Sequence, residues 1–497
     1  MHFDMSQFDS YREDNRREVK KAKGGLPLSL WETYSAFANC YGGVIILGVK
    51  ENHDGSWNMT GLENASKLKK DFWNAINDKK KVSINLLMDK DVKVYEENGK
   101  VILVIRVPRA KREQKPVYIN GNIFDGTFRR NWEGDYHCDR SEVLAMLRDQ
   151  PEETADMKIL EDMPLDVLHE ETIHAYRNRH ITFRREHVWE RLEDNEYLER
   201  IGAAKISAKD GKLHPTAAGL LMFGEEYKIL YEFPEYFLDY REVLDPTIRW
   251  TDRLQSSSGD WTGNLFDFFF RVYGKLVKDL KIPFKLEGIT RIDDTPVHKA
   301  LREALANCLV NTDFYFQRGI VIRKDVNSIT MENPGNIRTG KEQMLKGGIS
   351  DPRNKALMKM FNLIGIGERA GSGVPDIYSV WKQQGWEPPE VIEEYGPDRT
   401  ILKLSFVKSG DKKAAIKSGD KKAAIKSGDK NRAMKKTEKQ MQEILEYMTP
   451  DKEYRTAEIA TNMGIKNSRA RELMKNLVKQ GKIKAIGKNK GRRYIRK

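Results

Sequence analysis

The amino-acid sequence predicts a multidomain α+β protein that ends in a basic helix-turn-helix unit, and three observations carry that reading. The chain has 497 residues, enough for three or four domains. Helical and strand-like apolar patterns alternate from the first segment onward, so neither period rules the whole chain. A nine-residue repeat, Lys408 to Ile416 and again Lys417 to Ile425, begins a third time at Lys426 and sets the C-terminal segment apart. Each copy carries one large apolar residue and cannot build a core, so 408–436 reads as a charged linker.

Composition narrows the class. Hydrophobic residues make up 39% and charged residues 32%, and the longest apolar run, Val44 to Val49, is far short of the roughly 18 residues that span a bilayer. No membrane role is expected. The start, Met1-His2-Phe3-Asp4, lacks a basic stretch followed by an apolar one, so the expected compartment is the cytoplasm. Cys40, Cys138 and Cys308 are widely spaced, which excludes a disulfide framework and a cysteine-rich zinc site. The formal charge is +13, but Lys408 to Lys497 holds 27 Lys and Arg against 10 Asp and Glu, a net +17 that leaves −4 for the first 407 residues. A basic tail on a mildly acidic body is the footprint of a polyanion partner, DNA first among them. Self-association is left open by the sequence.

Residues 1–150 form the first expected domain. A charged stretch is followed by a helical run, Leu28 to Asn39, then Tyr41-Gly42-Gly43, a buried-strand pattern over Val44 to Val49, and a strand Val101 to Val107 that Pro108 stops. A helix follows over Ser141 to Arg148, and the acidic, turn-like Asp149 to Asp156 marks a domain edge. Glu13, Glu18 and Lys20, with Glu51 just after the strand, are candidate chemistry. Converging carboxylates hold a hard divalent cation that activates water at a phosphodiester, while a lysine steadies the developing charge. A solvated charged face is the alternative reading of the same residues.

Glu13-x4-Glu18-x-Lys20, then Ser35-Ala-Phe-Ala-Asn39-Cys-Tyr-Gly42-Gly43 and Ile46-Leu-Gly48-Val49, resembles the AlbA-type Schlafen domain over about residues 10 to 150. The resemblance implies a nucleic-acid-facing surface completed by Arg129 and Arg130 of Thr127-Phe-Arg-Arg. It also implies a rival, metal-dependent cleavage of RNA or DNA, with defence against foreign nucleic acid as a role. There Glu13, Glu18 and Glu51 or Asp54 would hold Mg2+ or Mn2+ beside Lys20. The family's Glu-Phe-Lys reads Glu18-Val19-Lys20 in this sequence.

Residues 158–295 alternate helical patterns with short strands and carry no chemical motif, although Thr216 to Gly224 is core-forming. They form an expected connecting region. The segment 296–407 opens with Ala300-Leu-Arg-Glu303-Ala-Leu-Ala-Asn307-Cys-Leu-Val-Asn311-Thr-Asp313. On a helix, Leu301, Leu305 and Cys308 share one face, and Glu303, Asn307 and Asn311 lie on the other. A carboxylate and an amide one turn apart can position a water and a magnesium ion beside a triphosphate.

Strand-like Gly319 to Arg323 follows, then Ile329 to Gly335, Asp351-Pro-Arg353-Asn354, and Gly365-Ile-Gly367-Glu-Arg-Ala-Gly371-Ser372-Gly373. This order resembles the ATP-binding-like C-terminal domain of RecG-helicase-related proteins, whose core is similar to the GHKL ATPase α/β sandwich. The resemblance implies ATP and Mg2+ as ligands. Glu303 would be the water-activating base and Asn307 the magnesium ligand. Asn311, Asn333, Gly335, Gly367, Gly371, Ser372 and Gly373 would surround the nucleotide. Asn333-Pro-Gly335 stands where GHKL enzymes carry Asp-x-Gly-x-Gly. Gly335-x4-Gly340-Lys341-Glu342 falls short of a phosphate-binding P-loop, because Glu342 replaces the Ser or Thr that holds magnesium. No helicase motor motif is present.

In 437–497, Met441, Ile444, Leu445 and Met448 recur at helical spacing, helices follow at Thr456 to Met463 and Ser468 to Gln480, and Lys482 to Ile486 and Arg492 to Arg496 bracket a basic turn. The whole is similar to a winged helix. Ala470, Leu473, Leu477 and Val478 are expected inward. Arg469, Glu472, Asn476 and Lys479 are expected toward a DNA groove, with Arg471 and Lys475 at the rim and Lys488, Lys490, Arg492 and Arg493 on phosphates. The expected function is a nucleic-acid-binding, ATP-binding transcriptional regulator.

Overall fold

The computed structural model describes residues 3–245, 247–278, 280, 285–287, 290–292, 294–367 and 371–409, and in the C-terminal segment 441, 444–445, 447–449, 452–463, 467–479, 482–486 and 493–496. At 285–287, 290–292, 467–469, 476 and 479 only the backbone is described. Most of the expected linker 408–436 lies outside the described residues. Two compact units result, Met1–Val407 and Lys408–Lys497.

The first unit opens with a four-stranded sheet in the order Arg17–Lys20, Gly43–Leu47, Lys100–Val107, Val92–Glu97. The first pair is parallel and the others antiparallel. The crossover between the parallel pair is the helix Ser29–Asn39, buried along nearly its whole length. Its polar residues explain the Ser-x3-Asn spacing. Ser35 Oγ donates to the Val117 carbonyl at 2.7 Å and accepts from the Phe128 amide at 3.0 Å. Asn39 Nδ2 donates to the carbonyls of Val117 and Phe128 at 2.8 and 3.0 Å, and its oxygen accepts the Val117 amide at 2.8 Å. One helical face thus satisfies two buried backbone segments, as burial of peptide groups requires. At Gly43 a methyl group would sit 2.5 Å from the Phe37 ring, so only glycine lets helix and strand close up.

The rest of the first unit is built on a six-stranded sheet, in the order Asp252–Gln255, Leu238–Val243, Ile320–Asp325, Ser328–Pro334, Arg399–Ser405, Glu390–Glu394. Only Leu238–Val243 with Ile320–Asp325 is parallel. The helices Leu265–Val277, Pro296–Val310, Lys355–Leu363 and Gly373–Gln383 contribute to one continuous core that runs from Leu160 to Leu404. Every residue of the helix Ala217–Phe223 is buried there, as its apolar run required. Strands from 238–255 complete the same sheet as those from 320–405, so the expected connecting region and the segment 296–407 contribute to one sheet.

The second unit holds the helices Thr456–Asn462 and Asn467–Lys479 and an antiparallel pair, Ile483–Ile486 with Arg493–Arg496. Met441, Ile444, Met448, Ile459, Ala470, Leu473, Met474, Leu477, Ile483 and Tyr494 form its core. Met474 joins the expected inward residues, while Val478 is only half-buried.

Candidate functional site

Glu303 and Asn307 lie one turn apart on the helix Pro296–Val310, and Asn307 Nδ2 donates to Glu303 Oε1 at 3.1 Å. Asn311 caps the helix, its amide donating to the Asn307 carbonyl at 3.0 Å. The carbonyls left over at this helix end are taken up by the Asp351-Pro-Arg353-Asn354 segment. Arg353 Nε donates to the Asn311 carbonyl at 3.1 Å, and Asn354 Nδ2 donates to the carbonyls of Val310 and Thr312 at 2.9 and 2.7 Å. That motif is therefore a helix clamp.

Across from Glu303 begins the helix Gly373–Gln383. A methyl group on Gly373 would stand 2.0 Å from Glu303 Oε1, so glycine is the residue that allows this approach. The first amides of that helix have no partner within it and favour negative charge. Between the two helices and the sheet opens a cleft of about 1100 Å³, including open solvent. Glu303, Asn307, Asn311, Asn333, Gly371 and Gly373 all line it. Met331, Ile349, Ile377, Tyr378 and Leu402 make its apolar side, and Thr400 lies beside them. Of the other residues expected around a nucleotide, Gly335 and Gly367 open onto neighbouring cavities and Ser372 lines none of the three.

The apolar side was not singled out from sequence, although its signal is there. Met331 and Asn333 alternate along one strand and Thr400 and Leu402 along its neighbour, while Val374, Ile377 and Tyr378 recur at helical spacing. A magnesium ion takes oxygen ligands. Asn307 spends its Nδ2 on Glu303, which leaves its carboxamide oxygen as the donor suited to such an ion.

The cleft wall is also tied to residues of the N-terminal segment. Arg109 Nη1 meets Glu393 at 3.0 Å and its Nη2 donates to the Ile337 carbonyl at 2.7 Å. Arg112 Nε donates to Asp351 at 2.9 Å, and Arg353 pairs with Asp149. Burial pushes the Lys115 ammonium down to about 8 and the Asp398 carboxyl up to about 6 in the same layer.

The carboxylates of Glu13, Glu18 and Glu51 lie near enough for their charges to act on one another, and each also has partners within the fold. Glu18 gives one oxygen to Lys20 at 2.9 Å and the other to Arg130 at 2.8 Å, so both are already held by cations. Glu13 accepts the Val19 amide at 2.8 Å. Burial, then the nearby Glu18 charge, pushes its carboxyl up to about 7. Burial and the charges of Glu133 and Glu18 raise Glu51. Asp54 instead accepts from the Ser56 hydroxyl at 2.5 Å and from the Ser56 amide at 2.9 Å, which lowers its pKa. Among the described residues no group of three acidic, His or Cys side chains is arranged to hold a metal. Arg130 is corrected outright: it is buried, bound to Glu18 and Asp135, and cannot face a nucleic acid. Arg129 pairs with Glu142 at 3.1 Å and packs on Gly396, so it too serves the fold.

In the second unit Arg471 and Lys475 are exposed one turn apart on the helix Asn467–Lys479. Arg493 is exposed and pairs with Glu453 at 2.8 Å. Lys488, Lys490 and Arg492, and the side chains of Arg469, Asn476 and Lys479, lie outside the described residues.

Comparison with known proteins agrees with two of the resemblances. Residues 10–138 match the family model "Schlafen, AlbA_2", and 318–400 match "Putative ATP-dependent DNA helicase recG C-terminal". Residues 144–239 match a domain of unknown function, and 440–494 match the model "FaeA-like protein". The chain is similar in class to nucleic-acid-associated, ATPase-like proteins. More particularly, residues 10–138 are similar to the Schlafen AlbA_2 family and residues 318–400 to the RecG C-terminal family. The helix bearing Glu303 and Asn307 precedes the second match. Among solved structures, the DIP2311 protein from Corynebacterium diphtheriae is 15% identical with a TM-score of 0.39, covering 97% of this chain and 94% of that one. The N-terminal domain of a RecG-related protein from Nitrosomonas europaea is 28% identical with a TM-score of 0.22, covering 27% of this chain and 89% of that one. No curated protein matches the chain. Among the described residues no helix is long and apolar enough to cross a membrane.

Proposed function

We propose that the chain is a nucleotide-responsive, nucleic-acid-binding regulator. ATP with Mg2+ occupies the cleft and biases the conformation of residues 1–407, while the C-terminal unit, a winged helix-turn-helix, binds DNA. The observation that carries this reading is the Glu303–Asn307 pair, joined at 3.1 Å and set against Gly373 at the edge of a cleft with an apolar opposite side. The base would rest on the apolar side and the phosphates at the helix amides. Asn307 would ligate magnesium and Glu303 would orient a water. Support for DNA as the polymer comes from the net +17 of Lys408 to Lys497 and from the exposed Arg471 and Lys475. Linked by the repeat, the tail keeps the body at high local concentration on its polymer.

Calorimetric titration of the full chain with ATP and Mg2+, beside Asn307→Ala, tests the nucleotide part. Binding weakened at least tenfold in the variant is expected, and equal binding removes this cleft from the account. The nuclease reading has less support, since Glu18 is held by both Lys20 and Arg130. Metal-dependent cutting of labelled RNA or DNA that disappears in Glu18→Ala would reverse that order.

A further inference from the structure

Beyond the cleft lies a second cavity of about 1190 Å³, including open solvent, and the two share Glu303 and Gly373. Its lining differs in character: Arg184, Lys299 and Arg302 are cationic, Glu303 and Asp376 are acidic, and Gly365 and Gly367 leave backbone exposed. Three cations beside two carboxylates suit an anion, and they lie next to the helix amides at Gly373 that the cleft already offers.

The placement of Arg184 follows from packing. The helix Glu170–Phe183 ends with Arg184 as its C-cap, the Arg184 amide donating to the His180 carbonyl at 2.8 Å. Phe183 covers Gly365, where a methyl group would stand 2.5 Å from the ring, so the helix end is seated on the glycine-rich turn. Lys299 stands one turn before Glu303 on the cleft helix. Asn307, Glu303 and Lys299 therefore mark successive turns, about 5.4 Å apart along the axis. A ligand lying along this helix with its base on the apolar side passes Asn307, then Glu303, and reaches Lys299 with its far end. Arg184 and Lys299 are exposed, and among the described residues neither is in a salt bridge. Arg302 is paired with Asp294 at 3.5 Å.

We propose that Arg184 and Lys299 form the terminal-phosphate subsite of the cleft, so that the connecting region 158–295 supplies a specificity determinant that selects nucleoside triphosphate over monophosphate. The inference rests on the nucleotide reading above and adds to it residues outside the segment that matches the RecG C-terminal model.

The full chain is titrated calorimetrically with ATP, ADP and AMP in Mg2+, as wild type, Arg184→Gln, Lys299→Gln and the double variant, with Arg185→Gln as the neighbouring control. Hydrogen bonds to charged groups are worth enough to predict a loss of about ten- to a hundredfold in ATP affinity for the double variant, with AMP affinity unchanged. Arg184→Lys should keep part of the discrimination. An unchanged ATP-to-AMP ratio in the double variant, with wild-type nucleotide binding intact, overturns the subsite alone. A wild-type chain that binds none of the three overturns the nucleotide reading as well.

Discussion

Replacing Arg109 by methionine removes the cation that holds Glu393 inside the first unit. The Glu393 side chain is only 3% exposed and Arg109 16%, so neither charge is compensated by water. Breaking a buried pair by deleting one partner costs roughly 3–5 kcal/mol, because the remaining charge is stranded. Glu393 would keep its bond from the Ile337 amide at 2.9 Å, which argues for the low end, about 3 kcal/mol. Glu393→Gln strands Arg109 less severely, since its Nη2 still donates to the Ile337 carbonyl. The double variant should therefore be more stable than the two single losses imply, by about 1–3 kcal/mol. Urea unfolding followed by tryptophan fluorescence is a selective assay, because all 9 tryptophans precede Lys408. A loss under about 1 kcal/mol for Arg109→Met, with additive single effects, would refute the idea of a buried tie between the N-terminal segment and the cleft wall.

Gly373→Ala places a methyl group 2.0 Å from Glu303 Oε1, so we expect about 1–3 kcal/mol of destabilisation and at least a tenfold loss of ATP affinity, read by calorimetry. Adding Glu303→Ala should restore stability without restoring binding. The Glu13 carboxyl sits at about 7 instead of 4.5, so its favourable contribution is present below pH 4.5 and is lost as pH rises through 7. Glu13→Gln keeps the acceptor for Val19 and should gain stability relative to wild type at pH 8 but not at pH 4, measured by thermal unfolding. Deleting Lys408 to Lys497 should remove most salt-sensitive binding to duplex DNA, and Lys475→Gln in the full chain should lower the salt slope by about 0.9.

How far the sequence could be read depended on the range of the interaction. Ser35 and Asn39, or Glu303 and Asn307, lie within one helical turn, and a period is visible in the chain itself. The strands Lys100–Val107 and Ser328–Pro334 announce themselves by apolar residues and by the prolines that end them. The burial of Arg130 was hidden because a charge on a strand looks the same in sequence whether it faces solvent or a buried carboxylate. Only the fold brings Glu18 and Asp135 to Arg130, and Glu142 to Arg129. The sheet that joins 238–255 to 320–405 was equally hidden, since a parallel pairing across a long crossover leaves no local mark.

Those long-range pairs bear on regulation. Arg109 touches Ile337, Arg112 touches Asp351, and Ile337 and Asp351 both line the cleft. A ligand that binds more tightly when this wall is held than when it is released must, by the same free energy, favour the docked N-terminal segment. The reciprocal also holds: Arg109→Met, by loosening the wall, should weaken ATP binding even though Arg109 does not line the cleft, whereas Arg106→Gln, exposed on the strand that precedes Arg109, should leave it unchanged. Equal ATP affinity in wild type and Arg109→Met, with the loss of stability present, would mean that the tie holds the two parts together without transmitting occupancy between them.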